Sequence, residues 1–244
     1  MSKDEIYTAD DSGDRPFRFN AAVAEVFPDM LRRSIPGYAA SIEAIGSLAA
    51  RYVTDNSNCY DLGCSLGAAT LAMQSGIRAQ GCNIIAVDNA PAMIERCREV
   101  IALAEDGEPR TPVDVREADI MDTEITNASM VVMNYTLQFL DIETRDALVR
   151  RICEGLLPGG LFLLSEKVVD ADEHMEELLV DLHHEHKRRN NYSQLEISRK
   201  RAALENVLVP ETVATHRERL SKAGFAHTGV WLRYFNFVSI VAIK

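Results

Sequence analysis

Several apolar runs in this chain end in residues suited to holding a nucleoside. The first is Cys59-Tyr60-Asp61-Leu62-Gly63-Cys64-Ser65-Leu66-Gly67. Its small residues at 63, 65 and 67 let a backbone turn sharply and approach a ligand, and the helix expected from residue 68 offers free N–H groups. The second run, Ile84-Ile85-Ala86-Val87, closes on Asp88. A carboxylate at that strand end is suited to accepting both ribose hydroxyls, with Asn89 beside it. After an expected strand at 113–118, Asp119 supplies an acceptor for an adenine amino group and Ile120 an apolar cover for the ring. Asn134 ends the run Met130-Val131-Val132-Met133, and ligands of open α/β sheets lie outside such carboxyl ends. Together these residues describe an adenosyl site. Cys64 has no histidine near it in sequence and reads as a polarizable filler rather than a nucleophile.

The elements that must carry these residues alternate between short apolar runs and helical periods. Strands are expected at 59–62, 83–88, 113–118, 130–134 and 161–165, with helices at 68–75, 91–103 and 141–156 between them. Pro158-Gly159-Gly160 is expected to turn the chain into the fifth strand. Two helices precede the first strand, broken at Ile35-Pro36-Gly37-Tyr38, where Tyr38 either faces a ligand or packs. A charged helical insertion at 170–208 separates the fifth strand from a helix at 211–223, and the chain closes with two strands around Tyr234-Phe235-Asn236. Residues 1–18 read as a mobile tail and 19–244 as one α/β domain.

Composition narrows the function. No apolar run is long enough for a membrane span, the N-terminus lacks a signal-peptide core, and a cytoplasmic location follows. The net charge of −11 argues against binding nucleic acid through bulk electrostatics, which leaves a small-molecule substrate. The five cysteines form no C-x-x-C pair. His183, His184 and His186 lack zinc spacing and read as solvated helix surface, so no metal is expected. Lys187-Arg188-Arg189 and Arg199-Lys200-Arg201 read as a solvated face balanced by Glu196 and Glu205.

The cradle at 61–67 resembles the first motif of class I S-adenosylmethionine (SAM) methyltransferases, with Ser65 where their middle glycine usually stands. The resemblance extends further, to the carboxy-S-adenosyl-L-methionine (carboxy-SAM) synthase family. It runs through Val26-Phe27-Pro28-Asp29-Met30, Ser34-Ile35-Pro36-Gly37-Tyr38, residues 60–70, and Asp88-Asn89 with 91–97. It continues through Asn134 with 136–140, Ser165-Glu166-Lys167, Leu195-Glu196-Ile197-Ser198, and Lys200-Arg201 with 204–207. Ala90 and Tyr135 depart from that family's serine and phenylalanine.

This resemblance implies a Rossmann-like SAM-methyltransferase fold: a mostly parallel seven-stranded sheet, N-terminal helices and the helical insertion as active-site cover and dimer contact. It implies that Tyr38, Gly63, Cys64, Ser65, Asp88, Asn89, Asp119, Ile120 and Asn134 contact SAM, and that Arg201 reaches the added carboxylate from the other subunit of a homodimer. It implies a transferase that converts SAM and prephenate to carboxy-SAM and phenylpyruvate. The product would supply a tRNA carboxymethyltransferase acting on the wobble uridine. The alternatives are an ordinary small-molecule methyltransferase and a non-catalytic SAM-binding partner of a tRNA-modifying enzyme.

Overall fold

The computed structural model describes residues 2–8, 17–104, 110–205 and 207–244. Strands β1 (Asn58–Leu62), β2 (Asn83–Asp88), β3 (Val113–Glu117), β4 (Ala128–Asn134) and β5 (Leu156–Val169) pair in parallel. A two-residue strand, β6 (Glu211–Thr212), adds to β5, and β7 (His227–Tyr234) with β8 (Phe237–Ile243) forms a hairpin antiparallel to it. The main order is β3-β2-β1-β4-β5-β8-β7, so the chain reverses its direction of travel between β1 and β4. Open α/β sheets bind ligands at such a switch point.

Eight strands form where seven were expected. The additional one, β6, is too short to show an alternating pattern, and its Thr212 also caps the next helix through Thr215. β5 starts at Leu156, ahead of the expected turn; the glycines are absorbed where its register with β4 shifts, between Ala128 and Met130.

Helices cover both faces of this sheet. On one face, α5 (Ile142–Gly155) and α8 (Val213–Ala223) pack over Phe162, Leu164, Val131 and Ile240. On the other, α2 (Tyr38–Tyr52) and α3 (Ala68–Gly76) cover Leu161, Leu163 and Val132. A Cβ on Gly76 would lie 2.0 Å from the Gly46 carbonyl oxygen, so these two helices meet backbone to backbone. That contact fixes α2, whose first residue is Tyr38. Upstream, α1 (Ala21–Ser34) begins at Asn20, whose side chain caps Val23, and stops at Ile35 because Pro36 pushes the preceding residue into extended backbone. α4 (Pro91–Ala104) follows β2.

The insertion forms α6 (Glu173–Arg189) and α7 (Gln194–Leu204). Asp172 caps α6, acids occupy its first turn, and bases occupy its last, matching the helix dipole at both ends. α7 begins with a reciprocal Ser193–Glu196 capping box.

Residues 2–8 differ from the expected tail, since they pack against this insertion. Asp4 is only 1% exposed, and its carboxylate accepts from Tyr192 and faces the Lys200 ammonium at 3.7 Å. Tyr7 joins Phe27, Met30 and Ala203 in an apolar cluster. Polar composition masked the docking because its partners are nearly two hundred positions away in sequence. Residues 9–16 of the expected tail lie outside the described residues.

Candidate functional site

The cradle follows directly from β1. Gly63 adopts φ +84°, and a Cβ there would lie 2.3 Å from the Thr136 hydroxyl, so the loops after β1 and β4 touch across the switch point. Ser65 also adopts a left-handed backbone, φ +51°, which explains why a glycine suits this position. Its N–H donates to Asp88 Oδ2 at 2.9 Å, while the Ala90 N–H donates to Oδ1 at 2.9 Å. Asp88 thus ties the first two strand-end loops together and keeps an acceptor lone pair on each oxygen. Burial raises its carboxyl above the ordinary range, opposed by these backbone donors. The Ala118 N–H donates to the Asp88 carbonyl at 3.1 Å, bringing the Asp119–Ile120 loop alongside. Met121 N–H occupies Asp119 Oδ1 at 2.8 Å, Ile120 is buried, and Asn89 is exposed.

Asn134 closes β4 opposite Ser165 of β5. Its side-chain oxygen is buried and has no hydrogen-bond partner among the described residues. An orphaned acceptor at the carboxyl end of a central strand is consistent with a ligand donor lying there. Asp61 lies deeper, holding the Thr70 hydroxyl at 2.6 Å, with its carboxyl pushed up to about 6 by burial. Burial, with a contribution from Asp61, raises the Tyr38 phenol above its ordinary range. Its ring lies 6.4 Å from that of Tyr135. Cys64 belongs to a core cluster with Cys97 and Ile94; the Cys97 contact, then burial, raise its thiol far above the usual range. This side chain is a filler, and Cys64 can meet a ligand only through its backbone.

The structure therefore gathers Tyr38, Gly63, Cys64, Ser65, Asp88, Asn89, Asp119, Ile120 and Asn134 around the carboxyl ends of β1 to β4. Arg201 stands apart on α7. It is exposed, forms no hydrogen bond or ion pair among the described residues, and lowers the proton affinity of both Lys167 and His184. No cluster able to hold a metal ion occurs among the described residues. Two surface hollows, one bordered by Gln74, Arg78 and Pro112 and the other by Met121, Arg151 and Pro158, lie away from these strand ends.

Two residues beside these strand ends were given no site role from the sequence. Tyr135 holds φ +65°, donates its N–H to the Ser165 carbonyl at 2.8 Å, and packs on Phe237 at 6.0 Å. Glu166 is buried, with one oxygen on the Leu137 N–H at 3.0 Å and the other unpartnered among the described residues. Two surface readings need correction. His183 is buried rather than solvated: it packs on Phe237 at 4.8 Å and its Nε2 lies 2.9 Å from the Ser34 carbonyl oxygen. Lys187 and Lys200 are likewise buried, because α6 and α7 turn them inward against α1 and Tyr192.

This sheet order and strand-end cradle are those of a SAM-dependent methyltransferase. A methyltransferase domain family model matches residues 60–160. Among solved structures, human N-acetylserotonin methyltransferase in complex with SAM aligns with a TM-score of 0.61 at 19% identity, over 100% of this chain and 60% of that one. A putative SAM-dependent methyltransferase from Methanococcus maripaludis aligns with a TM-score of 0.60 at 19% identity, over 95% and 96%. The carboxy-SAM synthase of Vibrio campbellii is 57% identical over 99% of this chain and 97% of its own length. That of Yersinia pestis is 53% identical over 99% and 90%. The chain belongs to the carboxy-S-adenosyl-L-methionine synthase family. It is a transferase whose substrate is SAM.

Proposed function

We propose that the protein makes carboxy-SAM from SAM and prephenate, releasing phenylpyruvate, and that its product supplies a tRNA carboxymethyltransferase acting on the wobble uridine. The near-full-length identity to carboxy-SAM synthases carries this reading. SAM brings a methyl group whose protons the adjacent sulfonium makes acidic. Prephenate gives up its ring carboxyl group as the ring aromatises; net, a methyl C–H becomes a carbon–carboxylate bond, and the proton leaves with the ring hydroxyl as water.

The chain's own residues bind and orient. Asp88 accepts the ribose hydroxyls, Asp119 and Ile120 take the adenine, and the orphaned Asn134 oxygen meets a donor of the ligand. Tyr38 closes the pocket from α2, and Gly63, Cys64, Ser65 and Asn89 contribute through the cradle's backbone and rim. Arg201 presents a planar, permanently charged fork to the new carboxylate, a group that ordinary methyl transfer does not create. Its exposure on α7 suits donation to a second copy's site, and the working unit in this reading is a homodimer with insertion 170–208 as cover and subunit contact.

Arg201→Ala tests this. Carboxy-SAM affinity measured by calorimetry is expected to fall by about 2–5 kcal/mol if the pair is desolvated, with SAM affinity little changed. Equal losses for both ligands would contradict the assignment. Wild-type protein that transfers a methyl group from SAM but yields no carboxy-SAM with prephenate would point to an ordinary methyltransferase.

A further inference from the structure

Beyond the SAM cradle, β5 and α6 bring cations together on the face that carries Tyr38. Leu161 and Leu163 point into the core beneath α2, and strand alternation turns Ser165 and Lys167 to the same side. Ser165 is paired with Asn134, so Lys167 stands about 7 Å further along the strand, past the cradle's edge. Its N–H is held by the buried Gln138 side chain at 2.9 Å. Directly across the ladder lies Phe237, and the His183 ring of α6 rests on it at 4.8 Å. His184 follows, and one turn on, Lys187 lies 5.9 Å from the Tyr192 ring centroid.

Lys187 and Lys200 make an instructive pair. They are almost equally buried, at 7% and 6% exposed. Lys200 has partners built into the fold, the Ser34 hydroxyl at 3.3 Å and the Asp4 carboxylate at 3.7 Å. The Lys187 ammonium has no hydrogen bond or ion pair among the described residues, and the nearby Asp4 is already engaged by Lys200 and Tyr192. Burial and then Lys200 and Lys167 push the Lys187 ammonium down to about 7; burial also lowers Lys167, with Arg201 acting in the same direction and Glu176 against it. Like charges crowded in partly dry surroundings repel one another, and an anionic ligand relieves that repulsion.

We propose that Lys167 and Lys187 form the anion-binding wall that receives the carboxylates of the second substrate, a dicarboxylate, with His184 at its rim. The inference rests on the carboxylation reading and adds the groups that select the donor. Both lysines are specificity residues rather than parts of the SAM cradle.

Steady-state kinetics and calorimetry on Lys167→Gln and Lys187→Gln test it, with prephenate as the probe. Each variant is expected to raise KM for prephenate about 10-fold or more while the SAM Kd stays within about twofold of wild type, since each removes a charged donor to the substrate's carboxylates and leaves the SAM cradle intact. Lys187→Arg, which keeps the charge, should recover most of the loss and guards against a Gln variant that fails to fold. An unchanged KM in both Gln variants of a wild type that turns prephenate over would overturn the inference and leave the carboxylation reading standing. Prephenate binding to SAM-loaded wild type that yields no carboxy-SAM, but is lost in the variants, would sink that reading and uphold the wall. Wild type that binds no prephenate would refute both.

Discussion

With one oxygen on the Leu137 N–H and the other unpartnered, Glu166 is a carboxyl the fold holds in its protonated form. Burial raises it from 4.5 to about 8, with Arg145 acting in the opposite direction. From pH 4.5 to 8 the native protein therefore keeps a proton that the unfolded chain has released. The stabilisation is complete below pH 4.5 and lost as pH rises through 8, with a ceiling on the order of 5 kcal/mol. Glu166→Gln keeps the acceptor for Leu137 and removes the titration. Urea unfolding at pH 5 and pH 8 is expected to show the gap between wild type and variant shifting against wild type at the higher pH; parallel behaviour at both would refute the assignment. Asp88 and Ser65 were legible in the sequence because strand-end acids and small residues have chemistry attached to their positions. Tyr135 and Glu166 were not: a left-handed backbone angle and a missing hydrogen-bond partner exist only once β4 and β5 lie side by side.

α7 is an element mounted from outside itself. Its middle carries Arg199, which donates to the carbonyls of Tyr7 and Thr8 at 3.1 and 3.2 Å, then Lys200 on Asp4, then the exposed Arg201. The N-terminal segment thus holds two neighbours of the residue proposed to meet the new carboxylate. Asp4 is the centre of that mounting, since its carbonyl also accepts from Arg33 and its N–H donates to Asp29. Asp4→Asn leaves the buried Lys200 without its counter-charge, a class of change that costs roughly 3–5 kcal/mol. Hydrogen exchange should then accelerate in α7 and residues 2–8 while β1 to β5 keep their protection. Unaltered exchange in α7 would contradict this account of the segment. The helical insertion was legible from its period and charges. Its inward-facing lysines and His183 were not, because a polar helix shows no apolar stripe to reveal which side is covered.

At the scale of the whole molecule, the parallel core and terminal hairpin were legible because buried strands read as continuous apolar runs between turn residues. What stayed hidden was long-range: the two-residue β6, and an N-terminus docked on the far end of the chain. The chain carries −11 overall, and Lys167 of β5 and Lys187 of α6 stand beyond a cradle that carries Asp88. That polarity suits a cationic sulfonium on one side and a dicarboxylate on the other. The most direct measurement follows the transferred carbon. Incubation of the protein with unlabelled SAM and prephenate carrying carbon-13 in its ring carboxylate should yield carboxy-SAM heavier by one mass unit, alongside unlabelled phenylpyruvate. Carboxy-SAM without the label, or no carboxy-SAM at all, would contradict the account.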